Sequence, residues 1–393
     1  MFIDRNIYSE LKSHLNKKQI TVITGIRRSG KTTLLKKLIN DVENENKIFF
    51  DFEKISDRNI FSEENYDNII EIISQKGINK NKKITIGIDE IQLSKNSPSV
   101  IKYLYDHYDI KFIVTGSASY YLKNLFSESL SGRKKLFELK TLSFGEYLKF
   151  KHINYDTDAN FLKSKFSIHQ YNSLKTFYNE YINYGGFPEV TLALNTEDKK
   201  ELLKDILNSY INIDIKRLTD FRKSRELFNL ISLLASRAGS KIDYTKLSRI
   251  SGLSKPTVYE YIETFEKTYL VQRIYVFTKS KNKLVSKSPK IYFCDNGILN
   301  SITDVSSGIK LENSVFNQLI NYGSVSYYST YSNSEIDFVL DDKTAFEIKE
   351  TPDINDLNIL ERRSKTAGIK NYRIIGNKIP NGFTDFIWAG SIF

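Results

Sequence analysis

Cysteine is nearly absent from the chain. Its 393 residues hold one, Cys294, which excludes an intrachain disulfide and fits a reducing, cytoplasmic setting. Histidine is scarce too. His14, His107, His152 and His169 are scattered, and with one cysteine they cannot build an ordinary zinc site. No apolar run reaches the length of a membrane-spanning helix. Met1-Phe2-Ile3-Asp4-Arg5 lacks the apolar core of a signal peptide. What is present is an ordinary soluble composition, 40% hydrophobic and 27% charged. The length suits roughly two to three domains. Acids are outnumbered: 58 Lys+Arg against 47 Asp+Glu give a net charge of +11. That balance favours polyanionic partners, and a solvated basic surface accounts for it equally well.

Gly25-Ile26-Arg27-Arg28-Ser29-Gly30-Lys31-Thr32 fits the phosphate-binding pattern G-x-x-x-x-G-K-[ST]. Its flanks supply the context. Gln19 to Thr24 is a β-branched run that reads as a buried strand, and Thr32 to Ile39 has leucines at helical spacing. Glycines let backbone N–H groups turn toward phosphates, and the helix start adds partial positive charge. Lys31 is expected to reach the β- and γ-phosphates, and Thr32 to offer its hydroxyl to Mg²⁺.

Lys83 to Glu90 is an apolar strand ending in Asp89-Glu90, at the sheet edge where doubly wound folds bind ligands. Asp89 is expected on the metal side, and Glu90 as the group polarising the attacking water. Lys111 to Thr115 is a third strand, running into Gly116-Ser117. Ser117 either senses the γ-phosphate or caps a strand–helix turn. Lys47 to Phe52 reads as another strand, and Asn65 to Gln75 and Val100 to Tyr108 as amphipathic helices. The alternation predicts an α/β fold with a parallel sheet.

These motifs occur in order with Leu130-Ser131-Gly132-Arg133, Leu142-Ser143-Phe144-Gly145-Glu146-Tyr147 and Tyr184-Gly185-Gly186-Phe187-Pro188-Glu189. In that order the chain resembles the prokaryotic AAA+-superfamily ATPases that carry a C-terminal domain of unknown function. Ile26 departs from the proline common in that family. The resemblance implies an ATP site formed by Gly25, Arg27, Arg28, Ser29, Gly30, Lys31, Thr32 and Thr33 with Asp89 and Ser117. It implies Mg²⁺ on Thr32 and Asp89, and catalysis by Lys31 and Glu90. It makes Arg133 the arginine that stabilises phosphate charge, in cis or across the boundary of a homo-oligomer. Arg27 and Arg28 are rivals, each with a structural salt bridge as the plainer role.

Residues 160 to 235 read as helical, which the resemblance makes a lid. Tyr244 to Ile250, a Gly252-Leu253 turn, and a helix capped by Ser254 with Pro256 in its first turn form a helix-turn-helix pattern. Strands at 271–277 and 290–294 follow. Lys279, Lys281, Lys283 and Lys287 lie between them, with no acid from Val271 through Lys290. This reads as a winged helix whose basic wing either binds DNA phosphates or is a solvated or protein-docking loop. Glu260, Glu263 and Glu266 on the second helix argue against deep insertion into a DNA groove.

Lys310 to Leu319 reads as a helix, followed by strands at 326–330, 335–340 and 344–350. Ile336-Asp337-Phe338 and Phe346-Glu347-Ile348-Lys349 resemble the PD-(D/E)XK nuclease superfamily. That resemblance implies Mg²⁺ or Mn²⁺ on Asp337, Glu347 and Glu312, with Lys349 orienting water. Facing carboxylates need an odd-numbered hairpin loop, Asp341-Asp342-Lys343; an even one would set Asp337 against Phe346. The plainer alternative is a polar face on a solvated hairpin.

The expected division is therefore a P-loop ATPase domain at 1–155, a helical lid at 156–235, a winged helix at 236–295 and a PD-(D/E)XK-like α/β domain at 296–393. The expected function is an Mg²⁺-dependent, ATP-binding and ATP-hydrolysing AAA+-like protein acting on DNA, with a metal-dependent nuclease as the expected role of its C-terminal domain. The alternative is a nucleotide-gated signalling or protein-interaction switch with an inert nuclease-like module.

Overall fold

Ile20–Thr24 forms β1, and every residue of it is buried. The computed structural model describes residues 2–116, 130, 132–155, 160–163, 165–215, 224–278, 287–330 and 334–393. The chain forms two units, Met1–Lys140 with Lys267–Tyr269, and Thr141–Glu266 with Leu270–Phe393.

In the first unit α1 (Tyr8–His14) precedes β1, and α2 (Lys31–Asn40) follows it. Then come β2 (Lys47–Asp51), α3 (Ile55–Ile60), α4 (Asp67–Gln75), β3 (Ile84–Asp89), α5 (Ser97–His107), β4 (Ile110–Gly116) and β5 (Lys134–Glu138). The strands lie in the order β2-β3-β4-β1-β5, all parallel. β1 is therefore interior, and its C-terminal end shares one sheet edge with the ends of β3 and β4. Leu34, Leu35 and Leu38 of α2 pack with Ile23 and Ile113 beneath the loop that joins β1 to α2.

The second unit holds α6 (Phe144–Phe150), α7 (Ile168–Tyr184), α8 (Pro188–Leu192), α9 (Thr196–Ser209), α10 (Ser224–Ala235), α11 (Tyr244–Ser251) and α12 (Lys255–Lys267, whose last residue groups with the first unit). β6 (Val271–Ile274) and β7 (Lys290–Phe293) pair antiparallel. Gly252, with φ 75°, ends α11, and Ser254 Oγ accepts from Thr257 N at the start of α12. The helix-turn-helix and its two-strand ribbon are thus formed. Lys279, Lys281 and Lys283 lie outside the described residues.

After α13 (Asn296–Ile302) and α14 (Ser307–Leu319) comes a sheet ordered β8 (Val325–Ser329), β9 (Glu335–Leu340), β10 (Thr344–Lys349), β11 (Asn371–Gly376) and β12 (Ile387–Trp388). The first three strands run antiparallel, and α15 (Ile354–Ala367) crosses from β10 to parallel β11. One core joins Leu174 and Tyr178 of α7, Tyr292 of β7, Phe316 of α14 and Phe338 of β9. The helical stretch expected as a separate lid is therefore built into the same unit as the C-terminal sheet. No helix among the described residues is long and apolar enough to cross a membrane.

Candidate functional site

The loop between β1 and α2 is shaped by close backbone approach. A Cβ on Gly25 (φ 151°) would lie 2.1 Å from the Leu139 carbonyl oxygen, so glycine is required there. Gly30 enters α2 at φ 98°, and Arg28 also takes a positive φ, 63°. Lys31 is buried, its ammonium donating to the carbonyls of Gly25 (3.1 Å) and Ile26 (2.8 Å). Arg5 braces the loop from outside the motif. Its guanidinium donates to Ser29 O (2.9 Å) and Lys140 O (2.8 Å). Ser29 Oγ is buried without a hydrogen-bond partner. Such an orphan costs about 1–3 kcal/mol, and a phosphate oxygen would satisfy it.

Behind the loop, Thr32 Oγ1 donates to Asp89 Oδ2 at 2.7 Å, and Thr115 Oγ1 donates to Asp89 Oδ1. Thr32 and Asp89 thus converge as hard oxygen donors, the set that suits Mg²⁺. Glu90 takes φ 53°, its N–H donates to Thr115 Oγ1 (3.3 Å), and Gln92 donates to its carboxylate. Burial raises the Glu90 pKa above its ordinary value; Lys31 and Arg27 pull it back and Asp89 adds to the rise. The structure brings Gly25, Ser29, Gly30, Lys31, Thr32, Asp89 and Glu90 to one sheet edge. Thr33 is exposed on α2, and Ser117 lies outside the described residues.

Arg133 lies apart from these residues. Its carbonyl accepts from Ile20 N at the start of β1. It therefore sits at the opposite edge of the sheet from the loop, roughly 13 Å away by strand rise. Its guanidinium grips Asp106 through two bonds, at 2.8 and 3.1 Å. Arg133 is braced on the edge where β1 begins, away from its own chain's loop. Sequence reasoning also missed Arg5, Thr115 and Tyr269, whose hydroxyl lies 3.1 Å from Thr24 Oγ1. Only Thr115 carried a signal, as a polar residue at a strand end.

In the second unit, β9 and β10 pair Leu340 with Thr344, Val339 with Ala345 and Phe338 with Phe346. The next step of that register sets Asp337 against Glu347, as the odd-numbered loop requires. Asp337 Oδ2 accepts from Ile348 N at 2.8 Å. Lys349 Nζ is 3.1 Å from Glu347, and Arg363 of α15 is 3.2 Å from the same carboxylate. Glu312 of α14 accepts from Tyr292 OH at 2.6 Å.

One buried cation was not anticipated. Lys290 is 3% exposed, and its ammonium lies 2.6 Å from Glu335, 3.6 Å from Glu312 and 4.0 Å from Asp337. Burial pushes Glu312 and Glu347 up, with the charge of Asp337 adding to each. Burial alone would lower Lys290; the surrounding carboxylates outweigh it and keep the ammonium protonated. Among the described residues, no three His, Cys, Asp or Glu side chains form a group able to hold a metal. Glu312, Asp337 and Glu347, the carboxylates expected to hold a metal, each lie beside a cation in this structure. Lys290 lies among Glu312, Glu335 and Asp337, and Arg363 and Lys349 engage Glu347.

Residues 17–148 match a AAA domain family, and residues 175–308 match a domain of unknown function. The uncharacterized protein MJ1544 of Methanocaldococcus jannaschii is 30% identical over 389 residues, 95% of this chain and 84% of that protein. An uncharacterized protein of Haemophilus influenzae is 26% identical over 351 residues, 84% of this chain and 83% of that protein. Among solved structures, the Aeropyrum pernix ORC2 protein in its ADP form aligns at 12% identity and TM-score 0.37, over 70% of this chain and 87% of that one. With the β1–α2 loop and the strand-end acids formed as above, the chain belongs to the family of MJ1544, prokaryotic ATPases with a AAA domain.

Proposed function

We propose that the chain binds ATP with Mg²⁺ at the β1–α2 loop, hydrolyses it, and acts on DNA. The observation that carries the nucleotide reading is the convergence of Thr32, Asp89 and the Lys31 ammonium beside an orphaned Ser29 hydroxyl. Lys31 exchanges two loop carbonyls for phosphate oxygens, and Ser29 Oγ gains a partner. Thr32 and Asp89 hold Mg²⁺, which when bound neutralises phosphate charge. Glu90 orients the attacking water and accepts its proton, a role its raised pKa suits. Arg133, on the far edge of its own sheet, serves only a neighbouring copy in a homo-oligomer.

The helix-turn-helix with its ribbon has the element order of a winged helix, which supports DNA as the partner. Asp337, Glu347 and Lys349 have the residue types of a metal-dependent nuclease; the Lys290 and Arg363 pairings oppose cleavage. Those pairings favour a second reading, a nucleotide-gated switch whose carboxylate core is inert. Two assays separate the readings: ATP turnover with and without DNA, and strand breakage with Mg²⁺ or Mn²⁺. DNA-stimulated turnover, with nicking lost in Lys349→Ala and kept in Lys31→Ala, supports the first. Turnover indifferent to DNA, with no nicking, leaves the switch.

A further inference from the structure

Two cavities of the second unit share Lys241, Ile242 and Asp243 in their walls. The larger, ≈ 520 Å³, adds Lys255 and Lys287; the smaller, ≈ 290 Å³, adds Arg237 and Lys246. Five basic side chains thus face one acid. That acid, Asp243, is committed to capping α11, where it accepts from Lys246 N at 2.9 Å. Lys246 and Lys255 are exposed.

The wall is fixed to the carboxylate cluster. Ile242 N donates to Pro289 O at 2.8 Å, and Lys241 bridges to Lys290 in antiparallel register. The Lys241 ammonium is 2.7 Å from Glu335, which also binds Lys290. Tyr244 lines the larger cavity. Tyr244 stacks on exposed Tyr259 with ring centroids 4.1 Å apart, a platform of the kind on which unpaired bases stack. The face of α12 that a duplex-reading helix would present carries Glu260 and Glu263, both exposed, and these repel phosphates in a major groove.

We infer that this groove binds a single DNA strand, its phosphates on Arg237, Lys246 and Lys255, its bases against the Tyr244–Tyr259 stack, and its course leading to the Asp337–Glu347 hairpin. The inference rests on the reading of DNA as the partner and does not require cleavage.

The test is fluorescence anisotropy of a labelled single-stranded oligonucleotide with the full chain, in a chelator, with and without ATP. Wild type is compared with Lys246→Gln/Lys255→Gln and with Lys365→Gln over a range of salt. The double variant is expected to weaken binding and to flatten the salt slope by about 1.4, or about 0.7 per phosphate contact on a single strand. Lys365→Gln, which removes one exposed charge paired with Glu361 on α15, is expected to bind as wild type does. An unchanged affinity and slope in the double variant overturns the groove while leaving DNA as a partner. Duplex bound more tightly than single strand does the same. Binding of neither nucleic acid overturns both readings.

Discussion

Asp89 and Glu90 are chain neighbours in opposite surroundings. Both oxygens of Asp89 accept threonine hydroxyls, whereas Glu90 is buried beside Lys31, Arg27 and Asp89. Glu90→Gln should keep ATP binding and lower turnover by about 10²–10⁴-fold. The working form of Glu90 is the carboxylate, so activity is lost as pH falls. Burial places that loss above the ordinary value of 4.5. A pH profile of kcat/KM with its acid limb at or below 4.5 contradicts the assignment. Lys290 belongs to the same scale. Lys290→Met strips the countercharge from Glu312 and Glu335, and denaturant unfolding should show a loss of about 3–5 kcal/mol.

At the scale of elements, two motifs with no assigned chemistry acquire physical reasons. Ser143 and Glu146 form a capping box that starts α6, with bonds of 2.9 and 3.2 Å in the two directions. Gly185 and Gly186 admit close neighbours: a Cβ would meet Asp295 Oδ1 at 2.1 Å in the first case and Leu142 O at 2.4 Å in the second. Gly186→Ala should lower stability by about 1–3 kcal/mol, since the clash is with backbone; an unchanged unfolding midpoint contradicts this. The phosphate loop, the strand ending in two acids and the hairpin parity were legible because their signals lie within a few residues. Arg5, Lys290 and Arg363 were not. Each acts on a group far away in sequence, as Lys111 does in donating to the carbonyls of His14, Lys17 and Gln19. β5, β11 and α15 were also missed. The exposed and half-exposed residues of β5 leave no apolar run to read.

At the scale of the molecule, the sequence suggested four segments and the structure forms two units. The cause is a shared core: α7 and β7 bury tyrosines against the sheet of the C-terminal hundred residues, a packing no local pattern announces. A fragment of 296–393 lacks Tyr178 and Tyr292, so it should show no cooperative unfolding by circular dichroism, whereas 141–393 should. The account as a whole depends on a triphosphate held at the β1–α2 loop. Calorimetric titration of the chain with Mg²⁺ and ATP tests this most directly. One site per chain is predicted, weakened about tenfold or more in Lys31→Ala. Equal affinity in wild type and Lys31→Ala, or no binding to wild type, contradicts it.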